Sequence, residues 1–452
     1  MTTLAAYLFI AGLVVMGKGI LSFSESSSEK PAGVPEALAV GSAALGYELF
    51  LLNFCGLILT RQRFLAVLGL DLGLALAAVR FGSWMVFSRE TVAWITKRRP
   101  MLSTASIVLL FVAFLTAWME ASALPLYHLD ALAHFGFEAK ILFYKGTFRT
   151  PFFFDKTIVH EGPNYPLLVP YLEAAYYGFI GRLEDGAVRH LFLAWWLAWM
   201  ALIYRVLRQK LEEDLALPLL TVLGSLPVFF ADHPGQAVSG CGDVPFALLW
   251  SAAVFGVLRW LAADEHQALW VAALASLGVV FCKPNGLPLV VGLWGLTVIF
   301  QPARKRPQTV SVLAAILVLL SPWFWEHSRI PRELIEAPID WKWSSLLQDL
   351  HRIPFLIGGS LREMFQPALW GGFWLFVVFS MAFGHKAERT LQDRLLSSVL
   401  VLQLAAYYAF YVISPESVHT VVVWTLTRWL THLSGPLMVW CGWRWADRYP
   451  GR

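Results

Sequence analysis

Charge is what this 452-residue sequence has least of: only 15% of its residues are Asp, Glu, Lys or Arg, where a soluble domain carries about a quarter. With 58% of residues hydrophobic, that shortfall excludes a soluble fold and predicts an all-α polytopic membrane protein. Charge of one sign is also lacking. The net charge of +4 is small, and the cations fall in short clusters between apolar runs, so there is no basic surface for nucleic acid. Cysteine is scarce: Cys55, Cys241, Cys282 and Cys441 are scattered without a CxxC pair, which argues against a zinc site or a disulfide framework and for core packing. The first twenty residues lack a basic leading region and a small-residue cleavage site, so they read as a retained first span. There is no internal repeat and no soluble domain.

What is present is a series of apolar runs. They lie near 1–20, 37–59, 64–86, 102–122, 188–206, 214–231, 243–262, 267–282, 286–300, 309–327, 365–383, 395–413 and 430–443, each approaching the ~20 residues that a spanning helix needs. Basic clusters set their orientation. Lys97–Arg99 places Pro100 on the cytoplasmic side, and Arg205–Lys210, Arg304–Arg306, Lys386–Arg394 and Arg444–Arg452 all become cytoplasmic as well if the run at 165–181 does not cross. That run carries Pro166, Pro170 and Glu173, which suit a re-entrant or interfacial segment. The result is about thirteen spans with the N-terminus outside and the C-terminus inside, Arg61 and Arg63 alone falling against the rule.

The chemistry gathers on the outer side. Residues 124–170 form the longest interval without a spanning run, and Asp130, His134 and Glu138 share one face of an amphipathic helix there, with Lys140 on its flank. A second loop, 326–367, also has amphipathic helical spacing. Asp130, Asp155, His160, Asp232, Asp243, Lys283, Asn285 and Arg428 all fall on or near this side, and ionisable groups at membrane depth are costly unless paired or functional. Each also has a purely structural reading. Asp130 and Asp243 stand where a helix N-cap stands; Lys283, Asn285 and Gly286 suit the turn of a helical hairpin. Arg428 can snorkel to headgroups, His134 and His160 can sit beside them, and the tryptophans, Trp323, Trp325, Trp341 and Trp343 among them, suit interfacial belts.

Taken in order, DALAHFGFEAKILFYKG, YPLLVP, GCGDVPFALLW, KPNGLPL and TRWLTHLSGP resemble the GT-C superfamily of integral-membrane glycosyltransferases, specifically bacterial relatives of the protein O-mannosyltransferases and of the lipid A aminoarabinose transferases. The resemblance covers roughly residues 102–443. It implies a catalytic domain over 101–452 with accessory helices in 1–100, placed in a bacterial inner (plasma) membrane with its site facing the extracytoplasmic side. It implies transfer of a sugar from a polyprenyl-phosphate carrier to a glycolipid, glycan or protein acceptor, Asp130 acting as base or positioning the acceptor. The substrate-binding set would be Lys140, His160, Tyr165, Asp243, Lys283, Asn285 and Arg428, with Lys283 and Arg428 on the leaving phosphate. Any divalent metal would fall to Asp130 and Asp243, but Ala131 stands where a paired acid would follow Asp130, which weakens a metal-dependent version. A transporter or flippase of lipid-linked sugars, or an oligosaccharide ligase or polymerase, is the alternative.

Overall fold

Backbone polar groups in lipid have no water to bond, so the apolar runs satisfy them internally as helices, and no strand occurs among the described residues. The structure, a computed structural model, describes residues 2–24, 32–78, 101–155, 165–231, 233, 235–331, 347–384, 390–414 and 418–446. The principal helices are α1 (Thr2–Ser22), α2 (Val34–Phe54), α3 (Arg61–Ala78), α4 (Met101–Ala123), α5 (Gly136–Lys145), α6 (Leu168–Ile180), α7 (Asp185–Leu207) and α8 (Glu213–Gly224). They continue with α9 (Asp243–Ala263), α10 (His266–Cys282), α11 (Gly286–Phe300), α12 (Arg306–His327), α13 (Ile353–Met364), α14 (Phe373–Phe383), α15 (Leu391–Ile413) and α16 (Val418–Ala446).

Seven of these, α1, α2, α4, α7, α9, α12 and α15, are long and apolar enough to cross a membrane, and α10, α11 and α14 are apolar but shorter. The chain is therefore an integral membrane protein by the length and composition of its helices. Several expected runs are cut by local chemistry. The run at 214–231 becomes the 12-residue α8, with Pro218 inside it, followed by a 3-10 turn at Pro227–Phe229. The run at 165–181 becomes the 13-residue α6, buried in protein along all but its last two residues. The last run is extended instead: α16 begins at Val418, so Arg428 lies within a 29-residue helix and not ahead of it.

α9 is the axis of the bundle. It is apolar all round, and 83% of its most apolar window is buried, against 22% for the peripheral α4. It packs on α7, α10, α15 and α16, with Trp199 Nε1 of α7 donating to Ser251 Oγ at 2.9 Å. The helices of residues 1–100 that the sequence sets apart share one hydrophobic core with the rest, running from Ala6 to Ala446. α1 and α2 meet backbone to backbone: a Cβ on Gly17 would fall 1.9 Å from the Ala37 carbonyl oxygen. Tryptophan is used differently from expectation. Trp195, Trp196, Trp199, Trp250, Trp260 and Trp294 are fully buried, and Trp323 packs on Phe281 and Phe50, while Trp325 is exposed. Trp341 and Trp343 lie outside the described residues. Cys241, Cys282 and Cys441 are buried thiols, and Cys55 is exposed.

Candidate functional site

Asp243 opens α9 at one end of the bundle, and its carboxylate is completely buried. A cap would direct it to the first backbone amides of the helix; the chain assigns that position to Gly242, which has no side chain to cap with. The carboxylate turns to side chains of other elements instead. Oδ1 accepts from Lys283 Nζ, just beyond α10, and from His432 Nε2 of α16 at 3.0 Å. Oδ2 accepts from Arg428 Nε, also of α16, at 2.9 Å. Arg428 Nη1 then reaches Asp130 Oδ2 at 2.5 Å. Asp130 likewise makes no capping bond; it leads into a π-helical turn, Ala131–Phe135, a distortion frequent at functional sites. Two carboxylates thus face two cations in one water-poor cluster, where an unpaired charge would be costly.

The cluster rests on a chain of hydrogen bonds running into the bundle. Trp250 Nε1 donates to Gln403 Oε1 at 2.9 Å, and Gln403 Nε2 donates to Tyr407 Oη at 3.0 Å. The Tyr407 hydroxyl thereby directs its own proton to His432 Nδ1, 3.2 Å away. With Nδ1 accepting, Nε2 carries the proton given to Asp243, so the geometry is that of a neutral imidazole.

Two glycines let the loops at this end close over the site. Gly240 adopts φ 82°, and a Cβ there would fall 2.4 Å from Leu126 Cδ2 and 2.9 Å from Ala131 Cβ, so the loop crosses directly above the turn that carries Asp130. A Cβ on Gly242 would press on Phe135 and on the Lys283 stem. His233, on the same loop, lies within electrostatic reach of Asp243, Arg428 and Asp130, and burial pushes its imidazole down to about 4. Its Nδ1 accepts the Gly235 amide at 3.0 Å.

Beside this cluster stands a second network. Arg189 of α7, fully buried, donates Nε to the Val238 carbonyl at 2.8 Å, Nη1 to the Glu120 and Leu124 carbonyls at 3.1 and 3.2 Å, and Nη2 to Glu120 Oε1 at 2.7 Å. Gln236 Nε2 and the Tyr127 hydroxyl also donate to Glu120; burial pushes Tyr127 up to about 12, which keeps its proton in place. His128 Nε2 lies 2.9 Å from Gln236 Oε1. These bonds pin residues 124–130 and 236–238 to α4 and α7, and so set where Asp130 stands.

Of the residues singled out in the sequence, Asp130, Asp243, Lys283 and Arg428 come together. Tyr165 stands close by: its ring lies 5.2 Å from that of His134 and meets Phe135 edge-on, and it is within electrostatic reach of Arg428. Asn285 follows Lys283 by two residues, its amide buried and without a hydrogen-bond partner. Lys140 is placed elsewhere, ion-paired at 2.6 Å with Asp185 at the start of α7. His160 and Asp232 lie outside the described residues. Asp130 and Asp243 do not fit a metal as arranged, because the Arg428 guanidinium already bridges them, and no group of three metal-ligating side chains occurs among the described residues. Sequence reasoning missed His432, Tyr407 and Gln403, which lie inside apolar stretches, and Glu120, Arg189 and Gln236. The signal available for the first was THLSGP beside Arg428: His432 sits one helical turn beyond it, on the same face. No family model, no curated protein and no solved structure matches the chain.

Proposed function

We propose that the chain is a GT-C-like glycosyltransferase that moves a sugar from a polyprenyl-phosphate carrier to an extracytoplasmic acceptor. One observation carries the reading: Asp130, Asp243, Lys283 and Arg428, from four separate stretches, converge in one network at one end of the bundle. A transporter would line a path through both leaflets with such groups; their gathering at one end favours transfer.

In this reading Lys283 and Arg428 bind the carrier phosphate. Each is tied to Asp243 through only part of its donor set, and Nη2 of Arg428 has no protein partner among the described residues. Asp243 holds both cations in place and offsets their charge while the site is empty of substrate. The acceptor hydroxyl or amine gives its proton to the Asp130 carboxylate as its oxygen or nitrogen attacks the anomeric carbon. The anomeric C–O bond breaks, and its electron pair leaves with the polyprenyl phosphate, whose charge the two cations stabilise. The Asn285 amide is the polar group left for the sugar or its phosphate. The fuller topology of about thirteen spans requires α3, α8, α10, α11, α14 and α16 to cross in addition to the seven long helices. It puts this site on the outer face of a bacterial inner membrane, opposite the basic clusters. Incubating the purified protein with polyprenyl-phosphate sugars tests the proposal. Release of polyprenyl phosphate dependent on acceptor is expected; movement of intact donor across vesicles without its cleavage would support a flippase instead.

A further inference from the structure

A large cavity opens at the other end of the bundle. α9 runs 21 residues from Asp243 to Ala263, which at 1.5 Å per residue is about 30 Å, the thickness of a bilayer core. There a cavity of about 860 Å³ lies among the ends of α7 and α9, the start of α10 and the start of α2. Its lining is divided. Leu202, Phe255 and Val271, each a turn or more inside its helix end, are apolar, while Arg205, Arg208, Arg259, Glu36 and Glu265 line the cavity nearer those ends.

The charges do not cancel. Glu36, buried, is shared by Arg205 at 2.5 Å and Arg259 at 3.5 Å, and Arg259 also pairs with Glu265. Asp264, at the rim, is already answered by Lys305 at 2.6 Å and Arg304 at 3.5 Å. Three guanidiniums therefore meet two uncommitted carboxylates. The one left over is Arg208, exposed at the rim, whose Nη1 donates to the Leu211 carbonyl and which has no carboxylate partner among the described residues.

We infer that this cavity binds the phosphate-bearing headgroup of a membrane lipid, with Arg208 as the anchoring cation and the apolar wall taking the first carbons of an acyl chain. An anion is called for by the excess guanidinium, whose planar fork suits phosphate oxygens. A lipid is called for by the division of the lining and by its place one bilayer thickness from Asp243, at the end that carries the basic clusters. The site is separate from the sugar-transfer cluster and does not depend on that reading.

The test uses the full chain in detergent, titrated with a short-chain phosphatidylglycerol and, separately, with inorganic phosphate, and read by native mass spectrometry. Arg208→Ala should weaken phosphatidylglycerol binding by about tenfold or more, as expected for one charge-assisted hydrogen-bonding group. Ala262→Trp, at an exposed lining position, should block the cavity to a similar degree while leaving the thermal midpoint unchanged. Inorganic phosphate at millimolar concentration should not displace the lipid. Wild-type affinity in either variant overturns the site, and displacement by phosphate overturns its assignment to a lipid.

Discussion

Arg189 and Arg428 are both buried arginines on helices of the bundle, and both answer carboxylates, yet their bonds end differently. Four of the Arg189 bonds end on backbone carbonyls, of Val238, Glu120, Leu124 and Pro125, and a fifth on the Glu120 carboxylate, which is itself held by Gln236 and Tyr127. Arg428 ends on two side-chain carboxylates from different elements, Asp130 and Asp243. Bonds to carbonyls commit an arginine to the shape of a loop, because releasing them leaves buried backbone groups unpaired. Bonds to carboxylates can be exchanged for bonds to a phosphate, because Asp243 retains Lys283 and His432, and the Asp130 side chain is 20% exposed. The first arginine belongs to the architecture, and the second is the one that the proposed function gives to a ligand.

The sharpest way to break that comparison is to remove each arginine. Arg189→Ala leaves Glu120 and two loop segments without their cation and should destabilise the fold by about 3–5 kcal/mol, seen as a large fall in thermal midpoint in detergent. Arg428→Ala should lower the midpoint far less. Equal losses would remove the distinction.

Asp130 comes next. Asp130→Asn keeps the shape and a hydrogen-bonding oxygen for Arg428 but cannot take a proton, so transfer should fall by ~10²-fold with an unchanged midpoint. A folded protein with near-normal turnover would rule out Asp130 as the base. Arg428→Lys keeps charge but loses the planar fork, and donor affinity should weaken by roughly 1–3 kcal/mol. A lysine form that binds donor as wild type does would reduce Arg428 to a structural cation as well.

The smallest effect concerns Glu138 of α5 and Glu173 of α6, fully buried carboxyls with no hydrogen-bond partner. Burial pushes both well above the usual 4.5, and the charge of Glu173 pushes Glu138 further. A carboxyl whose folded value is raised contributes its stability below the unfolded value and loses it as pH rises through the folded one, since the native state then binds more protons than the unfolded. Stability should therefore decline as pH rises above about 4.5. Glu138→Gln should flatten that decline in a series of thermal midpoints; an unchanged slope would mean that the pair is not held protonated.

Sequence reasoning reached much of this cluster because a charged residue beside an apolar run is conspicuous: Asp130, Asp243, Lys283 and Arg428 each interrupt one. It misjudged what they do locally. Aspartate before a helix reads as a cap, and neither Asp130 nor Asp243 caps, because buried cations from α16 and the end of α10 outweigh a backbone amide. Lys140 was just as conspicuous, but its partner, Asp185, stands 45 positions on and was invisible to local spacing. Arg189, one residue before His190 in DGAVRHLFLAWW, looks like a helix-end cation until Glu120 and the two loops are folded against it.

The low charge and the apolar runs by themselves determined that this chain is helical and membrane-embedded, since lipid leaves the backbone no other way to satisfy itself over such segments. Spacing also determined which acids and bases stand at run ends. Only the tertiary structure decided which helices are short, where α16 begins, and which cation answers which carboxylate, because those depend on desolvation and on partners tens to hundreds of residues away. It alone decided that Trp199 and Trp250 are core groups with buried hydrogen bonds, to Ser251 and Gln403: a tryptophan in an apolar run suits an interface and a core equally well until a partner for its indole N–H is brought beside it.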